Sequence, residues 1–158
     1  MNLPSWRALA TVKVSAKPDG FWTLVHEYVA GGRLLRFQVR DKDKDQTSVP
    51  MSWSPADGSH VTADGIAFSG APKTGVLSTA APYGALVGKV GGSSADLPDS
   101  ASAGTPYGTK KTFVVGAYCI VALAASDGGP LFLSMNDNPE GFAGHSGALH
   151  VLIEEYPL

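Results

Sequence analysis

The chain has 158 residues, a net charge of −2, 44% hydrophobic and 16% charged residues. That balance excludes a disordered chain and gives no electrostatic reason to expect nucleic acid or an anionic membrane as partner. Its length fits one domain over residues 1–158, and its 19 glycines and 11 prolines favour many short strands over long helices.

In chain order, Leu9 to Ala16 alternates apolar and polar residues, the pattern of a strand with one wet face. Pro18-Asp19-Gly20 reads as a turn. Phe21 to Val29 and Arg33 to Arg40 read as strands joined through Ala30-Gly31-Gly32, a hairpin signal. In the second, Leu35, Phe37 and Val39 point one way and Arg36, Gln38 and Arg40 the other. Gln46 to Gly65 reads as loop, with Trp53 anchoring it to the core. Ile66 to Ser69 reads as a short strand, Gly70 to Pro82 as an irregular connection, and Ala85 to Val90 as a buried strand. Gly91 to Gly108 is poor in apolar residues and reads as a long mobile loop. Lys111 to Val115, Ala117 to Ala124, Leu131 to Met135 and Ala148 to Glu154 complete the strand set. The expected fold is all-β, a two-sheet antiparallel β-sandwich.

Cys119 is the only cysteine, so no internal disulfide forms, and its apolar run makes it a small core residue. The N-terminal residues show no secretory signal, and no apolar run is long enough to span a bilayer, so a cytoplasmic protein, or one released without a signal peptide, is expected. Asp41-Lys42-Asp43-Lys44-Asp45 resembles the start of an EF-hand loop. Gln46 stands where the loop needs glycine and Ser52 where it needs glutamate, and the lysines neutralise the site, so it reads as a solvated loop. Gly144-His-Ser-Gly-Ala148 approaches a nucleophile elbow but ends in alanine and precedes a strand pattern, so no enzyme is expected around Ser146.

The richest stretch is Asp127 to Ile153, which reads as strand, polar loop and strand. Asn136-Asp137-Asn138 sets a carboxylate between two amides at a strand end. The loop that follows is rich in glycine, and Leu149, Val151 and Ile153 alternate after it. Such a set of oxygens suits a hard cation, a polar ligand or an ordinary turn.

Asn136-Asp137-Asn138-Pro139 with the later Ser146-Gly147 and its strand resembles the bacterial galactophilic lectin family, the LecA-like domains. So does Tyr83-Gly-Ala-Leu-Val-Gly-Lys-Val-Gly91. Trp53-Ser-Pro, Asp57-Gly58, His60 and Asp64-Gly65 are looser matches in the same order. The resemblance implies a bacterial origin, a jelly-roll, galactose-binding-like sandwich, and a homo-oligomer that gains avidity from repeated sites. It implies a calcium ion that bridges the protein to two sugar hydroxyls of galactose or a galactose-containing glycan. The implied metal ligands are Asp137, the Gly141 backbone carbonyl, a carbonyl near Gln46 to Val49 and, as a substitute, Asn136. The implied sugar contacts are His60, Asp64, Asp137, Asn138 and His145. The family's adjacent asparagine ligands are replaced here by Gly144 and His145. Glycine has no side-chain oxygen and imidazole is a poor ligand for a hard cation, so the resemblance implies a weakened or altered calcium site. The alternative is an interaction module on the same fold without calcium or sugar.

Overall fold

The computed structural model describes residues 4–40, 52–66, 75–96 and 112–157. Its strands are β1 (Arg7–Ser15), β2 (Thr23–Val29), β3 (Arg33–Arg40), β4 (Ser52–Ser54), β5 (Val61–Thr62), β6 (Leu86–Val90), β7 (Thr112–Val114), β8 (Tyr118–Ala122), β9 (Gly129–Met135) and β10 (Ser146–Pro157). A short 3-10 helix, Pro139–Gly144, joins the last two. Among the described residues no helix is long and apolar enough to cross a membrane.

The strands form two antiparallel sheets, a β-sandwich. One sheet runs β5-β4-β10-β3-β8, with β1 also paired to β10. The other runs β2-β9-β6-β7. β10 organises the first sheet, because β1, β3 and β4 all pair with it. Its period-two pattern sends Leu149, Val151 and Ile153 inward, where all three are fully buried. Leu35 and Phe37 of β3 join them from one sheet, and Val25, Leu86, Leu131, Leu133 and Met135 from the other. Each such buried side chain contributes about 1.5–3 kcal/mol.

The four-stranded sheet is covered on its outer face as well. Val87 and Phe132 turn outward between inward neighbours and meet Trp22, Leu77 and Phe142 in a second apolar cluster. The 3-10 helix, through Phe142, is therefore packed on this outer face.

Three sequence expectations are corrected. The segment 30–32 is not a hairpin: β2 pairs with β9 in one sheet and β3 with β10 and β8 in the other, so the chain crosses between sheets there. Gly32, at φ +70°, supplies the left-handed conformation that this crossing needs. The 46–65 stretch is not loop throughout, since it contains β4 and β5. The polar loop before β10 contains the 3-10 helix. Ile66 makes only an isolated bridge to Tyr83. Residues 67–69, the EF-hand-like stretch, the carbonyls of 46–49 and most of the 91–108 stretch lie outside the described residues.

Candidate functional site

β9 ends at Met135, and the next two residues carry the polar chemistry. Asn136 is fully buried. Its Oδ1 accepts from the Ser78 amide at 2.8 Å, and its Nδ2 lies 2.9, 3.1 and 3.0 Å from the carbonyls of Ser78, Ala81 and Pro82. Buried amides need such partners. Asn136 therefore fastens the 78–82 segment to the end of β9.

Asp137 is 4% exposed. Its Oδ1 accepts from the Asn138 amide at 2.7 Å. Its Oδ2 accepts from the Tyr83 hydroxyl at 3.2 Å and lies 2.9 Å from His145 Nε2. The His145 side chain is fully buried, and its Nδ1 donates to the Ala16 carbonyl at 2.7 Å. A carbonyl only accepts, so Nδ1 carries a hydrogen. Nε2 is thereby turned toward Oδ2 of Asp137. The imidazole is held between Trp53 and Phe142, whose ring centroids are 4.6 and 4.5 Å away.

The 3-10 helix brings these two residues together across eight positions. Asn138 caps it, accepting from the Glu140 amide at 3.0 Å, and Pro139 follows at the first helical position. Gly141 packs on the carboxylate: a Cβ there would sit 2.8 Å from Asp137 Oδ2. Gly144 packs on the turn after β4, where a Cβ would sit 2.5 Å from that of Ala56.

That turn forms the exposed rim. Ser54 pairs with Ser146 and Trp53 with Gly147. Asp57 Oδ1 accepts from the amide and hydroxyl of Ser59 at 2.8 and 2.7 Å. His60 is exposed, with Nδ1 3.4 Å from Ser54 Oγ. Asp64 goes elsewhere: its Oδ1 accepts from the Ala117 amide at 2.8 Å and anchors the approach to β8. The structure thus brings Asn136, Asp137, Asn138, Gly141 and His145 into one cluster, sets His60, just before β5, against Ser54 of β4, and directs Asp64 to β8.

No family model matches this chain, and no curated protein matches it. Trp22 and Trp53 are both buried, Trp53 donating from Nε1 to the Gly84 carbonyl at 3.0 Å, so neither offers a ring face at the surface. His26 and His150 are half-buried within β2 and β10. Ser146 opens β10 rather than a helix. Half-buried Cys119 packs against the core, and burial pushes its thiol up to about 11, which makes it a poor nucleophile. Tyr83 is the site residue that the strand patterns do not reveal, because a hydroxyl contact has no periodic signature. Among the described residues no group of three or more His, Cys, Asp or Glu side chains could hold a metal ion. The calcium ion implied by the resemblance is poorly matched by the residues here: Oδ2 of Asp137 faces donors, Asn136 is committed to the backbone, and Gly144 has no side-chain oxygen.

Proposed function

We propose that the chain is a non-enzymatic interaction module on a jelly-roll, galactose-binding-like sandwich, with histidine in place of a cation at its central carboxylate. The observation that carries this reading is the buried His145 ring, fixed by the Ala16 carbonyl on one nitrogen and facing Asp137 with the other. An imidazole so placed occupies the side of the carboxylate that a calcium ion would need open.

A second reading, a galactose-type lectin with an altered calcium site, is favoured by one observation. Exposed His60 lies next to Ser54, which pairs with Ser146 beside the cluster, so polar groups able to meet a hydroxylated ligand stand at that rim. His60, Asn138 and Asp137 would carry it, and Asp64 would contribute only after leaving the Ala117 amide.

Thermal unfolding with calcium, with EDTA, and with galactose added to each separates the two. A ligand that binds only the folded chain raises the melting temperature by mass action. The module reading expects the same melting temperature in all four conditions. A rise with galactose that requires calcium overturns it and establishes the lectin.

A further inference from the structure

Among the described residues β8 is the outermost strand of the six-stranded sheet, with β3 on one side. Val39 donates to the Ala117 carbonyl and Leu123 to the Arg33 carbonyl, both at 2.9 Å. In an antiparallel pair the hydrogen-bonded positions alternate. The amides and carbonyls of Tyr118, Ile120 and Ala122 therefore point away from β3.

Proteins blunt open edges with charge, proline, irregularity or shortness. The other edges here follow that rule. β1 carries Arg7 and Lys13 and shifts register between Ala8 and Ala10. β2 carries His26 and Glu27 and shifts register twice. β5 and β7 have only two and three residues. β8 has none of these devices. It reads Tyr-Cys-Ile-Val-Ala, its register with β3 is unbroken, and Tyr118 and Ile120 are 57% and 48% exposed.

We infer that β8 is the seam of a homodimer, pairing antiparallel with β8 of a second copy across a two-fold axis at Ile120. In that register Ile120 meets its own counterpart, and Tyr118 meets Ala122 of the other chain, a large side chain beside a small one. The outward amides and carbonyls of all three residues find partners. An uncharged strand does not repel its own copy, and the two-fold axis closes the assembly at two chains rather than opening a fibre. This inference stands whether the rim binds sugar or not.

Sedimentation equilibrium and amide exchange on the full chain test it. The parent should be a dimer, with the Ile120 amide more protected as concentration rises. Ile120→Lys sets like charges opposite each other, and Ala122→Pro removes an outward donor that an edge strand can forgo. Both should be monomeric with the parent's near-ultraviolet circular dichroism, whereas Leu24→Lys, on exposed β2, should remain dimeric. A monomeric parent at every concentration, a dimer that survives both β8 changes, or outward amides that never gain protection would overturn the seam.

Discussion

At the level of single residues, the molecule turns on the pairing of Asp137 with His145. Both are buried, and each has other hydrogen-bond partners that fix its orientation. Removing one member of such a pair leaves a buried group without its complement, which costs about 3–5 kcal/mol. His145→Ala should lose that much in urea unfolding, and it also opens a cavity between Trp53 and Phe142. Asp137→Asn keeps the shape and should lose less. The double variant should cost clearly less than the sum of the two single losses, because the residues act as one unit. Additive losses would show that the contact contributes nothing of its own. Tyr83→Phe provides a graded control, since it removes one donor to the same oxygen and should cost about 1 kcal/mol.

Among elements, strands with strong alternation were legible because burial imposes a period of two on the chain. Leu149, Val151 and Ile153 in β10, and Leu35 and Phe37 in β3, are apolar at alternating positions and fully buried. β4 and β5 are too short for any alternation to appear. The hairpin signal at 30–32 fails because glycine permits a tight reversal without saying which sheet receives the next strand. The Asn138-Pro139 start of the 3-10 helix is a helix-entry signal, but one masked by the glycines that follow it. Asp137 and Asn138 stood out as a cluster, yet the contact with His145 depends on how six residues fold between them, and no local pattern encodes that. The same packing gives a prediction about this loop. Gly144→Asn drives a Cβ to 2.5 Å from that of Ala56 and should lower the melting temperature. Ala56→Gly removes the nearest obstructing atom and leaves the Ala56 Cα at 3.0 Å, so the double variant should recover part of the loss. If Gly144→Asn alone melts as the parent does, the 56–144 contact is looser than described.

Over the whole molecule, the second layer outside the four-stranded sheet explains why a lysine is buried in a β-sandwich. Lys89 belongs to the outward row of β6, which open sheets leave to solvent. Here that row is covered, and Lys89 Nζ lies 5.0 Å from the Trp22 ring centre and 4.8 Å from that of Phe132. It reaches Asp96 Oδ2 at 2.5 Å and donates to the Ser93 carbonyl at 2.7 Å, so the turn after β6 is fastened over the sheet by charge as well as by apolar contact. Burial raises the Asp96 carboxyl, but hydrogen bonds from Lys89 and Ser93 and the lysine charge outweigh it and hold the group below 3.8. A carboxyl lowered on folding stabilises the native state above its unfolded value, and that contribution is lost as pH falls through the folded value. Stability should therefore begin to decline as pH drops below about 3.8 and continue to do so under more acidic conditions. Asp96→Asn should flatten this acid limb. It should also cost about 3–5 kcal/mol at neutral pH, because Lys89 is left buried without its counter-charge. Adding Lys89→Met should recover most of the neutral-pH loss while keeping the limb flat. An Asp96→Asn protein with the parent's acid profile would mean that other carboxylates govern acid unfolding and that the outer layer is held by its apolar contacts alone.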